Sequence, residues 1–149
     1  MEAGKFELKY NIELVRTDHI TGDVIDKSEI HNIIVNTGLQ RFAELLNGVS
    51  VAPFTDIAIG TDDTVATATD TALTTEVAKQ TAIATYESDY KAKWSHKFEF
   101  GSGESYTIHE VGVFAGTTML NRAIDAVGKE VDADTDLTVN VTVTVGRAS

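Results

Sequence analysis

The chain has 149 residues, no cysteine and a formal net charge of −11. That is the length of one domain, able to bury roughly two-thirds of the surface its unfolded chain exposes. The missing cysteines exclude disulfides, thiolate zinc sites, iron–sulfur clusters and cysteine nucleophiles together.

Twelve basic residues are dispersed among 23 acidic ones. Phosphate neutralisation needs clustered Lys and Arg, so neither nucleic acid nor an anionic membrane surface is an expected partner. The longest apolar stretch falls far below the ~18–20 residues of a membrane span. The opening Met1-Glu2-Ala3-Gly4-Lys5 lacks the basic start and apolar run of a signal peptide.

Period-2 alternation dominates the chain, the mark of half-buried strands. Phe6, Leu8, Tyr10, Ile12 and Leu14 alternate with Glu7, Lys9, Asn11 and Glu13. Thr17 to Asp23 reads as a hairpin turn, and a second strand runs from Val24 to Val35. One helix follows at about residues 38–47. Thr37 stands as its N-cap with Gln40 three residues on, and Gly48 is placed for a C-terminal cap. Leu39, Phe42, Leu45 and Leu46 form its apolar face, and so short a helix must pack on the sheet to persist.

Pro53 opens a short strand, Phe54 to Ile59, ended by Gly60. Thr61 to Thr75, rich in Thr, Ala and Asp, reads as an ordered surface loop with one helical turn near Leu73–Val77. Thr81 to Glu87 is a strand. Tyr90, Ala92, Trp94, His96, Phe98 and Phe100 share one face of the next, with Trp94 and Phe98 expected in the core beneath the helix. Gly101 to Glu104 is a turn. Tyr106 to Phe114 and Thr118 to Ile124 form a hairpin around Gly116. An acidic loop, Gly128 to Asp134, precedes a last strand in which Leu137, Val139, Val141, Val143 and Val145 alternate with Thr and Asn. The sum is an all-β fold: an antiparallel β-sandwich or flattened barrel of about eight strands with one short helix, in a single domain spanning 1–149.

No chemical motif is complete. His109-Glu110 starts like a metalloprotease H-E-x-x-H, but Val113 stands where the second histidine belongs, and the segment alternates like a surface strand. Asp132, Asp134 and Asp136 mimic the start of an EF-hand, but Leu137 and Val143 occupy the glycine and glutamate positions; only a weak calcium loop at 128–136 is conceivable. Ser102 and Ser105 lack the glycine spacing of a nucleophile elbow. Asn140-Val141-Thr142 matches a glycosylation sequon but lies in a strand. No catalytic, cofactor or metal residues are therefore assigned, and no enzyme is expected. Tyr86, Tyr90 and Trp94 are candidate glycan contacts, because aromatic rings on a sheet can stack on sugars. Phe6, Leu8, Tyr10 and Ile12 are candidate assembly contacts, with the strand at about 5–16 as an arm that could add to a neighbour's sheet edge.

Several phrases occur in order: His31-Asn32-Ile33-Ile34-Val35-Asn36-Thr37-Gly38-Leu39, Ile57-Ala58-Ile59-Gly60-Thr61, Asp70-Thr71-Ala72-Leu73-Thr74-Thr75-Glu76-Val77, Ile108-His109-Glu110-Val111-Gly112-Val113-Phe114 and Met119-Leu120-Asn121-Arg122-Ala123. With the final Thr/Val strand, this set resembles small virion proteins of tailed phages and related archaeal viruses, over about residues 24–145. The resemblance implies a capsid decoration or turret protein, or a tail-fibre, tail-tip or baseplate component. It further implies a virion location, a homo-oligomer (a homotrimer foremost) and major capsid or tail proteins as partners, with no cofactor. Gly38, Gly60 and Gly112 within these phrases read as scaffold positions: a helix opening, a positive φ, and a bulge or close backbone approach.

Overall fold

The computed structural model describes residues 4–30 and 32–148. Residues 1–3, His31 and Ser149, which fall within the predicted start, second strand and C-terminus, lie outside them. Among the described residues, eleven strands and one helix occur in the order β1 (Phe6–Asp18), β2 (Val24–Ile30), β3 (Asn32–Ile34), α1 (Asn36–Leu46), β4 (Asp56–Gly60), β5 (Glu76–Thr81), β6 (Ile83–Glu87), β7 (Lys91–Phe98), β8 (Ser105–Ala115), β9 (Thr118–Met119), β10 (Asn121–Asp132) and β11 (Thr135–Arg147). They build two antiparallel sheets packed face to face, an all-β sandwich and not a closed barrel. The first sheet has the order β2-β1-β11-β7-β6; the second runs β3-β10-β8-β4-β5, with β9 added to β8.

The strand count exceeds the expected eight by three: one predicted strand changes sheets partway, Thr118–Ile124 divides at Leu120 into β9 and β10, and β5 stands where no strand was expected before Thr81. The run Val24–Val35 divides into β2 in the first sheet and β3 in the second. The predicted strand Thr81–Glu87 is β6 of the first sheet, and the unexpected β5 precedes it in the second sheet: β5 ends at Thr81, Ala82 crosses, and β6 begins at Ile83. Alternation survives such a crossing, so the pattern hides it. The predicted acidic loop at Gly128–Asp134 is mostly strand. β10 continues to Asp132 through a register shift between Ile124 and Lys129, where Gly128 takes φ +84°.

β1 is an interior strand. It pairs with β11 along its whole length, from Phe6↔Arg147 to Asp18↔Thr135, and with β2 from Ile12 to Thr17. The hairpin to β2 forms at the predicted turn. Asp18 accepts the N–H groups of Ile20 and Thr21, which hold its carboxyl below the ordinary range, Thr21 most strongly.

The helix differs from its sequence reading. Val35, in extended conformation, is the N-cap and supplies no side-chain bond. The Thr37 hydroxyl instead donates to the Met119 carbonyl at 2.8 Å. Gly38 is buried because the helix backbone lies on β9–β10; a Cβ there would overlap the Leu120 carbonyl. Gly48 does close the helix, with φ +76° and its N–H on Leu45 O at 3.2 Å. Leu45 packs on the core, but Leu39 and Leu46 are exposed. Trp94 and Phe98 lie on β7 in the first sheet, not under the helix: Phe98 is core, and the Trp94 indole donates to Phe54 O at 2.8 Å.

Two hydrophobic layers result. Between the sheets sit Ile12, Leu14, Leu137, Val139 and Val141 against Ile57, Ile59, Ile108, Val111 and Val113. On the outer face of the second sheet, Val35, Ala58, Leu73, Phe114 and Met119 form a smaller cluster. The loop between β4 and β5 brings Leu73 into that cluster, so β4 is buried on both faces. The loop forms bends and turns; the helical turn expected near Leu73–Val77 is absent.

Candidate functional site

The most charged buried constellation joins β8, β10 and the loop between β4 and β5. Glu110 on β8 faces Ile124 of β10 in register, and Arg122, two residues along β10, shares its face. Both side chains are essentially inaccessible. Arg122 Nε donates to Glu110 Oε1 at 3.1 Å. One terminal nitrogen donates to Thr64 O at 2.9 Å and Asp70 Oδ2 at 3.2 Å; the other to Asp62 Oδ2 at 3.1 Å and Thr74 Oγ1 at 3.4 Å. All five guanidinium N–H donors are thereby used. Glu110 is equally occupied. Oε1 also accepts the Thr74 N–H at 2.9 Å, and Oε2 accepts those of Thr75 at 2.7 Å and Asp62 at 3.3 Å.

This clasp fastens the Thr/Asp-rich loop to the sheet. Asp62 is held below its ordinary pKa, first by the Thr64 N–H and with help from Arg122. For Asp70, burial pushes upward, but the Thr67 hydrogen bonds and the Arg122 charge outweigh it and leave the carboxyl lowered. Gly60 makes the clasp sterically feasible. It stands opposite Glu110 on β4, and a Cβ there would overlap Thr75 O and Glu110 Oε2. Space, and not the positive φ expected from the sequence, requires glycine. Gly112 does mark a close approach, as a Cβ would lie 2.9 Å from Asn121 O. With every donor and acceptor engaged, Glu110 and Arg122 have no free atom for a substrate. Their arrangement is structural.

Glu110 is thus not the surface strand residue that the incomplete H-E-x-x-H suggested. Its neighbour His109 bonds through Nδ1 to the Asp125 carbonyl at 2.7 Å. Asp132 is taken up by its own turn, accepting the Asp134 N–H at 2.9 Å, while Asp136 is directed at His19. The three aspartates therefore do not converge on one ion. Asn140 is bonded to Ser95 and Glu13 within the first sheet.

A contrasting region lies at one end of the first sheet. On its inner face Leu14 and Ile12 are fully buried, Tyr10 and Leu8 half-buried, and Phe6 is 53% exposed. On the partner strand, Val139 and Val141 are fully buried, Val143 is 7% exposed and Val145 39%. The core stripe of the first sheet emerges only partly covered here, with the Phe6 ring 6.0 Å from Phe42 of the helix and Val145 open. Tyr86 and Tyr90 extend this stripe across β6 and the β6–β7 turn, where Asp89 and Tyr90 both take positive φ. These residues, with Lys91 and Arg147, line an open hollow of about 610 Å³. A second hollow of about 390 Å³ shares Phe6 and is lined by Leu8, Tyr10, Leu39 and Phe42.

Of the candidate assembly residues, Phe6, Leu8 and Tyr10 thus border these hollows, whereas Ile12 is sealed in the core and has no contact surface. Of the candidate glycan residues, Tyr86 and Tyr90 are exposed together. Trp94 is half-buried, with its indole N–H engaged.

No helix among the described residues is long and apolar enough to cross a membrane. Comparison with known proteins finds no matching family model, no matching curated protein and no matching solved structure.

Proposed function

We propose that this chain is a non-enzymatic structural protein of a tailed-virus particle, a capsid decoration or turret protein that docks as a homo-oligomer. The observation that carries this reading is the partly uncovered core stripe at the end of the first sheet. An apolar surface continuous with a core is stabilised by a cover, and contiguous exposed patches of this kind mark association sites.

A second copy of the chain is the occupant best matched to the patch. β6 is a sheet edge whose residues are all exposed, so its backbone groups are free to pair with another strand. Lys91 and Arg147 at the rim form no ion pair among the described residues. On a chain of net charge −11, such cations meet an acid-rich surface on any other copy. A homotrimer, with hydrophobic and backbone contacts repeated by symmetry, fits the resemblance to virion surface proteins.

A tail-fibre, tail-tip or baseplate component that touches host glycans is the second reading. The two exposed rings of Tyr86 and Tyr90 favour it, since they can stack on sugars. Quantitative mass spectrometry of purified particles separates the readings. Hundreds of copies in fixed ratio to the major capsid protein are expected for decoration. A handful of copies moves the protein to the tail or a single vertex, and absence from the particle sinks both readings.

A further inference from the structure

Away from the apolar end, three strands of the first sheet bring a histidine and two carboxylates together. His19 follows β1, Asp136 opens β11, and Glu99 follows β7. In the sheet β1 and β7 flank β11, with Thr17 opposite Asp136 and Phe98 opposite Leu137, so the three residues fall side by side on neighbouring strands. Their candidate donor atoms all lie within 4.8 Å of one another. We propose that His19, Glu99 and Asp136 form a divalent transition-metal site of the Zn²⁺ class.

Asp136 is the anchor. It is 1% exposed, its Oδ1 faces His19 Nδ1 at 2.9 Å, and its Oδ2 accepts no hydrogen bond. A buried carboxylate oxygen without a donor is costly unless a cation lies against it. Lys97 supplies one: its ammonium stands 3.2 Å from Oδ2, outside hydrogen-bonding geometry, on a side chain that is 53% exposed and free to swing away. The ammonium is the resting counter-ion, and the metal is its competitor.

The dimensions suit such an ion. Two N/O donors bound at ~2.0–2.1 Å in tetrahedral geometry lie about 3.3 Å apart, so the His19–Asp136 contact must open by only about 0.4 Å. One imidazole and two carboxylates suit borderline divalent ions, with Zn²⁺ and Ni²⁺ ahead of Mn²⁺ in affinity, and a fourth position stays open to water or another ligand. Asp136 stands on a strand that also carries the core, and His19 and Glu99 directly follow two of its neighbours. It does not depend on the virion reading above.

The test is calorimetric titration of the untagged full-length chain with Zn²⁺ and Ni²⁺, each alone, with Ca²⁺ as a comparison, alongside melting curves. Saturable binding of one Zn²⁺ per chain is expected, with a raised Tm and little response to Ca²⁺. His19→Ala and Glu99→Gln, both at exposed positions, are each expected to weaken binding about tenfold or more without unfolding the protein. Lys97→Ala removes the competing cation and is expected to tighten binding by about fivefold, the size of an exposed ion pair's contribution. No saturable binding in the millimolar range, binding unchanged in both His19→Ala and Glu99→Gln, or Lys97→Ala binding no tighter than the unaltered chain each overturns the proposal.

Discussion

The two sheets end differently. The outer face of the second sheet is covered by the chain's own loop, and the inner face of the first sheet runs out uncovered at Val145 and Tyr86 and only partly covered, by Phe42, at Phe6. The loop cover is held by a polar centre, with Glu110 and Arg122 saturating one another and the loop's backbone and carboxylates. The uncovered end has exposed rings, an edge strand and two cations without an ion pair among the described residues. A buried polar network is stable only when complete, so its completeness marks it as internal architecture. An apolar stripe without a cover is incomplete, which points it toward another molecule. The more chemical-looking region is therefore the structural one, and the plainer region is the one that faces outward.

Breaking the clasp gives the largest expected effect. Arg122→Ala leaves Glu110 buried without its partner, and a loss of about 3–5 kcal/mol is expected, read from the denaturant midpoint. Arg122→Leu with Glu110→Leu together is expected to cost less than the two single changes summed, since neither charge is then stranded. Additive losses in that cycle would contradict the clasp.

Next comes Gly60→Ala. Its Cβ would press Thr75 and Glu110 apart, and a loss of about 1–3 kcal/mol is expected, the usual size of overpacking. Protease cutting within residues 61–75 should rise with it. A stable, uncut variant would show that the loop tolerates the shift.

Acid should loosen the same loop. Asp62 and Asp70 both have folded pKa values below the ordinary 3.8, so they bind protons more weakly in the folded state. Their contribution is fully present above that value and is lost as pH falls through the lowered folded values. Protection of the Thr74 and Thr75 amides, relative to their intrinsic exchange rate, should fall below about pH 4 before the inter-sheet core opens. Simultaneous loss of both would show that the loop does not open as a separate unit.

Tyr86→Ser should change stability least, within about 0.5 kcal/mol, because its ring is exposed. A large destabilisation would make Tyr86 part of the fold and remove the contrast between the two regions.

Much of the sandwich was legible. Residues 6–14 and 137–145 alternate cleanly because one face meets the core, and both lie within long strands. The change of sheet from β2 to β3 and the crossing at Ala82 were not legible, since alternation records which face is buried and not which sheet supplies the neighbours. The clasp was missed although its signal is present. Glu110 and Arg122 each interrupt apolar runs in strands, Ile108 to Phe114 and Met119 to Ala123, where a charge needs a partner. That partner came from the opposite strand and from a loop dozens of residues earlier, which no local spacing encodes. Thr37 failed as a cap because Met119 O lay within reach of its hydroxyl. Leu39 and Leu46 failed as core because the helix meets β9–β10 through Gly38, turning part of the apolar face outward.

The central claim, that the uncovered end is an association surface for other copies, is tested most directly by sedimentation equilibrium of the full chain beside Tyr86→Ser and an Ile83→Lys edge variant. A reversible oligomer, most simply a trimer, is expected for the unaltered chain and monomers for both variants, each with the Tm that the unaltered chain shows when diluted to monomer. A monomer at all concentrations, or an oligomer indifferent to both changes, would contradict it.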